Sequence, residues 1–348
     1  MKNNELISAF GMLPDDFREM GCPGRPEHVF GRIQRVSGWH SGRPNLRREI
    51  LRWMEGNVDF SLPEIVEACS SLDGATRVLL SLSDGEHIEA VHMPREVNNP
   101  RVTLCISSQV GCGMGCVFCA TGVMGFVRNL TAGEIVGQVH AMLNALGPTH
   151  PHQVTLVFMG MGEPLHNLKN VHRAVRIFNH TCGLNISTRR ITVSTCGIIP
   201  GMDSLSLMRP RPWLAISLNG SNDEQRQELM PISRTYSMRH LRLALDRWGL
   251  NPREKLLIEY VLIEGINDKH EDAEKVAKWL GNLGRVSNVN LIALNEFEGC
   301  KYKAPSPETQ ANFASILKKN GCFVTIRKSR GKDVRGACGQ LAMNVADI

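Results

Sequence analysis

Apolar runs and amphipathic stretches alternate through most of the chain, and this alternation restricts the folds that it can adopt. Runs rich in β-branched and aliphatic residues predict strands, whereas apolar residues spaced by three and four predict helices. The predicted strands are 102–108, 153–159, 190–195, 212–218, 255–263, 288–294 and 322–327. The predicted helices are 131–146, 167–180, 222–230, 237–248, 268–283 and 306–320. Repeated strand–helix units predict an α/β fold whose parallel sheet curls into a partial (βα)6-type barrel.

The N-terminal part of the chain follows a different pattern. Its predicted helices run from Pro14 to Arg18, from Glu27 to Val36 and from Pro44 to Met54, and a further apolar-periodic stretch runs from Asp59 to Cys69. The segments 77–82 and 88–93 predict a hairpin, and turn residues at 98–100 then mark a boundary. We therefore expect a small helical domain with a hairpin at 1–94, followed by the barrel core at 95–348.

A compact cysteine motif follows the first strand of the predicted barrel. Cys112, Cys116 and Cys119 have CxxxCxxC spacing, in a loop whose glycines let the backbone wrap around one inorganic centre. A structural zinc site usually has four ligands in two pairs, and no second pair at such spacing lies nearby. A [4Fe–4S] cluster tolerates three protein ligands, which leaves one iron open to bind a substrate. The alternative is three buried structural thiols, but the spacing and the glycines favour the cluster.

This motif is similar to that of the radical S-adenosylmethionine (radical-SAM) enzymes, in which the open iron binds the amino and carboxylate groups of S-adenosylmethionine. Phe118 also matches the aromatic residue of their motif. Ligands of parallel sheets bind at the carboxyl ends of the strands, where this chain has glycines, a carboxylate and several polar residues. Each of them taken alone is also typical of an ordinary turn. The candidate cofactor-binding residues are Gly162, Glu163, Ser194, Ser217, Leu218, Asn219 and Asn295.

Composition restricts the class of protein. The 348 residues, 42% of them apolar, can bury a sizeable core and are typical of a soluble globular protein. The first residues lack the pattern of a signal peptide, and no apolar run approaches membrane-spanning length. An odd number of cysteines, three of them assigned to an oxygen-sensitive cluster, favours a reducing compartment. We therefore expect a cytoplasmic monomer with no membrane partner. Six cysteines have no partner spacing and are interpreted as structural: Cys22, Cys69, Cys182, Cys196, Cys300 and Cys322.

Positive charge is concentrated in two blocks, although the net charge of the whole chain is only +6. Between Arg25 and Arg52 there are seven arginines against two glutamates, and from Lys318 to Arg335 there are seven cations against one aspartate. Two such blocks fit a polyanion held by both ends of the chain, and they fit two ordinary solvated faces equally well. On the first interpretation, the residues that contact phosphate are Arg43, Arg47, Arg48, Lys328, Arg330 and Lys332.

Taken together, the motifs resemble the RlmN/Cfr family of radical-SAM RNA methyltransferases, on the RlmN side. The matching segments are 105–112, 159–163, 189–195, 259–261, 290–292 and 337–341, and the resemblance runs from about residue 25 to the end of the sequence. The last of these segments holds Cys338 between small residues, which predicts an accessible, mobile loop. Two features depart from the family, which usually has a histidine at Asn219 and a proline-containing loop at 296–300.

The resemblance implies a reaction that uses two S-adenosylmethionines in each turnover. The first methylates Cys338, and the second, on the open iron, yields a 5′-deoxyadenosyl radical that takes a hydrogen atom from the new methyl group. The resulting methylene radical adds to an adenine and joins the protein to RNA transiently. Cys105 then attacks the sulfur of Cys338, which releases the RNA and leaves a transient disulfide. Glu89 corresponds to the residue that accepts a proton.

The resemblance also implies the partners. A proline at position 164 resembles the sequence of the enzymes that methylate C2 of adenine more than that of the enzymes that methylate C8. The expected substrate is therefore the adenosine at the peptidyl-transferase centre of 23S rRNA, with tRNA as a further candidate and a donor such as flavodoxin to reduce the cluster. The alternatives are methylation at C8 or of another RNA and, in a different class, an RNA-binding module with a structural metal.

Overall fold

The structure, a computed structural model, describes residues 6–35, 46–95, 101–147, 153–251 and 254–341. Its strands are β1 (Ile7–Ser8), β2 (Val58–Asp59), β3 (Glu64–Ser70), β4 (Thr76–Ser81), β5 (His87–Arg95), β6 (Arg101–Cys105), β7 (Gln109–Gly111), β8 (Phe126–Asn129), β9 (Val154–Phe158), β10 (Ile191–Thr195), β11 (Trp213–Ser217), β12 (Leu256–Leu262), β13 (Ser287–Ala293) and β14 (Phe323–Arg327). Its helices are α1 (Pro14–Glu19), α2 (Pro26–Gln34), α3 (Arg48–Asn57), α4 (Ala120–Met124), α5 (Ala132–Leu146), α6 (Leu168–Asn179), α7 (Ile199–Leu207), α8 (Asp223–Leu229), α9 (Met238–Arg247), α10 (His270–Leu280), α11 (Leu283–Val286) and α12 (Pro307–Lys319).

One ten-stranded sheet organises these elements, in the order β14-β13-β12-β11-β10-β9-β6-β5-β4-β3. The strands from β14 to β6 in this order pair in parallel, and helices connect most of them, as the sequence predicts. The sheet begins and ends with different strands, β14 and β3, so the barrel is partial. This α/β architecture confirms the predicted fold class, and it brings the carboxyl ends of the parallel strands to one edge.

All seven predicted barrel strands are present, and the six predicted helices form within a few residues of their expected bounds. Helix α7, between β10 and β11, was not predicted. Its sequence contains Pro200 and Gly201, which usually mark a turn, and its two faces differ little in hydrophobicity. The proline lies in the first turn of the helix, where the missing N–H group has no intrahelical partner to lose.

The N-terminal part combines helices with five strands: β1 and β2 pair with each other, and β3, β4 and β5 belong to the main sheet. Helices α1 and α2 form as predicted, and α3 begins at Arg48. Val36, the predicted end of the second helix, and Pro44, the predicted start of the third, lie outside the described residues. The stretch from Asp59 to Cys69 supplies most of β3, which turns the predicted hairpin into a three-stranded meander. Strand β5 pairs with β6, so the meander extends the sheet of the barrel. The domain division at residue 94 stays a prediction.

The helical segment is fixed to the barrel through α5. A Cβ atom on Gly11 would lie 2.8 Å from the backbone nitrogen of Gly133, so the two backbones pass in close contact. The amide nitrogen of Gln34 donates to the Phe10 carbonyl (3.2 Å), and its oxygen accepts from Nε2 of the buried His140 (3.0 Å). No helix among the described residues is long and apolar enough to cross a membrane.

Candidate active site

Two adjoining cavities open at the carboxyl ends of the barrel strands. The first is lined by the three motif cysteines and by residues that end or follow strands β9 to β14. The second lies beside β5 and β6 and is lined by Cys105, Arg95 and the C-terminal loop. Met159, Ile292, Arg327 and Cys338 line both cavities. The fold thus brings most of the candidate residues to one place.

The cysteine loop is shaped by close backbone approaches. Gly111 has a φ of +68°, and a Cβ atom there would lie 2.0 Å from the carbonyl oxygen of Gly125. That carbonyl accepts a hydrogen bond from the N–H of Cys112 at 2.7 Å. A Cβ atom on Gly122 would lie 2.8 Å from the carbonyl oxygen of Cys116. Only glycine fits these approaches, which hold the loop tightly around the cavity.

The three cysteines fit an iron–sulfur cluster. Burial raises the pKa of each thiol, to about 12 for Cys112, and the neighbouring cysteines add to this for Cys112 and Cys116. Three thiolates here therefore require a cationic centre. Within the described residues, no three His, Cys, Asp or Glu side chains come together as a site for one metal ion. A zinc ion holds sulfurs only about 4 Å apart, because each Zn–S bond is about 2.3 Å. A cluster spreads its thiolates over separate irons, and this donor set suits it better.

Glu163 is held in the first cavity with its carboxylate already oriented. One carboxylate oxygen accepts the N–H of Leu165 (2.9 Å) and the other that of Cys196 (2.8 Å). Gly162 before it has a φ of +97°, and a Cβ atom there would lie 2.5 Å from the side chain of Gln109. Burial raises the pKa of Glu163, so a cationic ligand group beside it would favour the ionised form.

The other candidates differ in how they meet this cavity. Ser194, Ser217, Asn219 and Asn295 line it. The Leu218 side chain is fully buried and is not among the residues that line the cavity, and its backbone N–H and carbonyl are bonded to Glu259 (2.9 Å) and Arg226 (3.0 Å).

Asn219, where the family usually has a histidine, lies at this edge of the sheet. It adopts a φ of +54°, a conformation that asparagine tolerates better than most residues. Its side-chain oxygen accepts from the N–H of Val261 at 2.8 Å. The amide therefore bridges the ends of two strands at the rim of the cavity.

Four residues around this site were not predicted from sequence as site residues. Cys196, interpreted above as structural, directly follows β10 and lines the first cavity. Glu259 on β12 and Arg327 on β14 also line this cavity. The strand-end rule that selected Ser194 would also have selected Cys196 and Arg327. Arg226 lies on α8 and is fully buried, where it donates to the carbonyls of Cys196, Ser217 and Leu218. No local pattern marks such a residue, because its partners are backbone carbonyls of other elements.

The second cavity brings together the two cysteines that resemblance pairs. Cys105 ends β6 and is buried, whereas the Cys338 thiol is exposed, as the small flanking residues predict. The backbone around Cys338 is fixed: its carbonyl accepts from Asn295 (3.0 Å), and the Gly339 carbonyl accepts from Ala120 (2.8 Å). All eleven cysteines are free in the structure, so the disulfide expected as a transient species is not present in it.

Glu89 lies on the same face of the sheet as Cys105. Val91 pairs directly with Cys105, and Glu89 is two residues away on the same strand. The Glu89 side chain is only 1% exposed and forms an ion pair with Arg77 of β4. Glu89 does not line either cavity described above, so its carboxylate lies behind the residues that do.

The predicted phosphate contacts differ in availability. Arg47, Arg48, Lys328 and Lys332 are exposed, and Arg43 lies outside the described residues. Arg330 instead donates to the carbonyls of Pro94 and Asp73 within the chain. Its guanidinium therefore stabilises the C-terminal loop in the structure.

Known proteins of similar sequence and structure agree on one class. The model of the radical-SAM superfamily matches residues 106–280. The dual-specificity RNA methyltransferase RlmN of Lawsonia intracellularis is 44% identical over 302 residues, which cover 85% of this chain and 84% of that protein. The protein of the same name from Campylobacter jejuni is 39% identical and covers 97% of this chain and 98% of its own length. A radical SAM methyltransferase from Sphaerobacter thermophilus has a crystal structure that superimposes with a TM-score of 0.87, at 36% identity, over 96% of this chain and 99% of that one.

Proposed function

Since this chain belongs to the RlmN/Cfr family of radical-SAM RNA methyltransferases, on the RlmN side, we propose that it methylates C2 of adenine in RNA. The proposed substrates are the adenosine at the peptidyl-transferase centre of 23S rRNA and an adenosine of tRNA. The name of the relatives, dual-specificity RNA methyltransferase, supports two kinds of RNA. We place the reaction in the cytoplasm, where the cluster is protected from oxidation.

The observation that carries this proposal is the position of Cys105 and Cys338, which line one cavity beside the three cysteines of the motif. Cys338 lines both cavities, with the cluster cysteines on one side and Cys105 on the other. A thiol in that position can receive a methyl group in the first cavity and present it to a base in the second. The C2 carbon of adenine has no lone pair to attack a sulfonium methyl, so direct displacement is excluded and a carrier thiol offers another route.

The first cavity has the groups that S-adenosylmethionine requires. When bound, S-adenosylmethionine would supply the methyl group for Cys338, and the cluster on Cys112, Cys116 and Cys119 would supply the radical chemistry that activates it. Glu163 would accept from the amino group of the cofactor, and Ser194, Ser217 and Asn295 would hold its ribose and adenine. Pro164 supports C2 rather than C8 as the target.

The second cavity supports the release of product. Cys105 attacks the sulfur of Cys338, so that a disulfide forms and the bond from that sulfur to the methylene carbon on adenine breaks. The electron pair of this bond remains on the methylene carbon, which takes up a proton and becomes the methyl group. Glu89, behind Cys105, is proposed to accept the proton that the adenine ring loses earlier.

Nucleoside analysis tests the substrate and the position of the methyl group. We expect 2-methyladenosine in 23S rRNA and in tRNA from cells that carry this gene, and its loss when the gene is deleted. Mass spectrometry of digested rRNA and tRNA, with synthetic 2- and 8-methyladenosine as standards, measures this. The appearance of 8-methyladenosine, or unchanged 2-methyladenosine after deletion, would contradict the C2 assignment.

Intact mass spectrometry tests the carrier. Methylation of Cys338 needs no RNA, so the isolated protein should be heavier by one methyl group than its sequence mass. The Cys338→Ala variant should lack this increment, whereas Cys322→Ala, which changes a buried cysteine outside both cavities, should keep it. An unmodified Cys338 in protein with a full cluster would indicate another radical-SAM reaction. An RNA-binding module with a structural metal would show neither methylation nor cleavage of S-adenosylmethionine after reduction.

A further inference from the structure

Arg327 lies between the two cavities and belongs to neither predicted group of site residues. It ends β14 and pairs with Ile292 of β13, which also lines both cavities. Its guanidinium forms an ion pair with Glu259 at 3.3 Å, and the second oxygen of Glu259 accepts from the Asn290 side chain at 2.8 Å. These contacts fix the cation on one side, and its other side faces the cavity that Cys105 and Cys338 share.

The electrostatic setting of the two thiols differs. Cys338 is exposed, so water can solvate its thiolate. Cys105 is only 6% exposed, and its burial raises the pKa of its thiol. The nearby charge of Cys338 raises this pKa further, whereas the positive charge of Arg327 lowers it. Arg77 and Glu89 on this face of the sheet pair with each other, and Glu67 pairs with Arg77 as well. Arg95, Lys328 and Arg330 also line the second cavity.

Arg327 is correspondingly stabilised as a cation. Its burial acts to lower the pKa of the guanidinium, but Cys338, Glu259 and Cys105 act in the opposite direction, and the pKa is raised. A residue that only anchored β14 to Glu259 would not need to face both thiols. The arrangement is that of a fixed positive charge beside a reacting sulfur.

We propose that Arg327 is the positioning residue for product release, where its positive charge stabilises the Cys105 thiolate that attacks the sulfur of Cys338. This inference rests on the proposed function. Cys105 loses its thiol proton, forms the sulfur–sulfur bond and displaces the methylene carbon, which keeps the electron pair and takes up one proton. The sum is one thioether and one thiol converted to one disulfide and one methyl group, so that atoms and electrons balance without a further reactant.

A single-turnover experiment tests this step. The holoenzyme, with reconstituted cluster, reductant and S-adenosylmethionine, is mixed with a labelled transcript of the peptidyl-transferase region of 23S rRNA. Denaturing gels then follow the covalent protein–RNA adduct with time. The variants are Arg327→Met, which keeps much of the side-chain volume without the charge, Arg327→Lys, Cys105→Ala and Arg239→Met. Arg239 is an exposed arginine on α9, away from both cavities, and serves as the matched control.

The expected result is an adduct that accumulates in two variants. Cys105→Ala should retain it because no thiol resolves it, and Arg327→Met should release it several-fold more slowly than wild type, because no positive charge then favours the Cys105 thiolate. Arg327→Lys should recover most of the release rate, and Arg239→Met should match wild type. Intact mass should still show the methyl group on Cys338 in Arg327→Met.

Three outcomes would overturn the inference alone, and a fourth would overturn the proposed function with it. Release at the wild-type rate from Arg327→Met would show that the charge is not used in this step. Weaker RNA binding with unchanged release would make Arg327 a phosphate contact instead. An Arg327→Met protein that forms no adduct, while Cys105→Ala does, would place the residue earlier in the reaction. If Cys105→Ala itself forms no adduct, the proposed function fails, and the inference fails with it.

Discussion

At the scale of single residues, the site relies on polar side chains that the barrel holds in place before a ligand binds. Glu163 is held by two backbone N–H groups, and Asn295 holds the carbonyl of Cys338. Arg226 joins the ends of β10 and β11 through their carbonyls. Groups fixed in this way lose little entropy when a cofactor binds, and they do not need to reorganise during the reaction.

The cluster is the first property to test at this scale. Anaerobic reconstitution should give about four irons per chain, and replacement of any one of Cys112, Cys116 and Cys119 by alanine should remove most of this iron. Cys182→Ala, a half-buried cysteine that lines neither cavity, is the control and should bind iron as wild type does. Iron and sulfide analysis with absorption spectra measures the content. A protein that binds one zinc ion and no iron would disprove the assignment.

A buried histidine predicts a pH dependence of stability. Burial lowers the pKa of His140 from its usual 6.5 to about 4, because the charged ring would lose its contact with water. The folded state therefore favours the neutral ring. Its contribution is complete above about pH 6.5 and is lost as the pH falls towards 4, by at most about 3 kcal/mol in the free energy of unfolding.

Denaturant unfolding between pH 4 and 8 measures this contribution. His140→Gln keeps a donor for Gln34 but does not titrate, so it should be less dependent on pH over this range than wild type. His240→Gln changes an exposed histidine on α9 and serves as the control. Parallel curves for His140→Gln and wild type would mean that His140 does not titrate in the way that its burial indicates.

At the scale of elements, the loop that carries Cys338 is attached to the turn between β3 and β4. Asp333 accepts from the hydroxyl of Ser71 and from the N–H of Leu72 (3.2 Å). In return, Asp73 accepts from the N–H of Gly331 at 2.8 Å. The meander thus does more than extend the sheet, since its turn holds the start of the loop that carries Cys338.

Removal of these contacts should loosen the loop without unfolding the barrel. Asp73→Ala and Asp333→Ala should each speed hydrogen exchange at the N–H groups of 331–336 and slow methyl transfer to RNA, because Cys338 is held less firmly. Asp246→Ala, on the surface of α9, is the control. Mass-detected exchange of the loop peptide measures the effect, and unchanged exchange in both variants would mean that the turn does not anchor the loop.

At the scale of the whole molecule, positive charge lies at both ends of the described chain. Arg47 and Arg48 are exposed at the start of α3, and Lys328 and Lys332 are exposed beside the second cavity. A long polyanion that reaches Cys338 can contact the second pair directly.

The salt dependence of RNA binding tests these contacts. Each of Arg47→Met, Arg48→Met, Lys328→Met and Lys332→Met should weaken binding and lower the slope of log affinity against log salt by about one, because each contact releases about one counterion. Lys278→Met, an exposed lysine of α10, should leave the slope unchanged. A flat salt response of the wild type would assign both basic blocks to ordinary solvated surface.

The sequence by itself determined what depends on neighbouring residues. The spacing of Cys112, Cys116 and Cys119 is set within one loop, and the alternation of strands and helices follows from local apolar periodicity, so both were predicted. Helix α7 was missed, because Pro200 and Gly201 carry the opposite local signal.

Only the tertiary structure decided which distant residues meet. Arg327 faces Cys105 because β14 and β6 lie in one curved sheet, and the turn before β4 holds Asp333 because the meander pairs with the barrel. Such contacts depend on strand order and register, which residues far apart in the chain fix jointly. No short stretch of sequence contains that information.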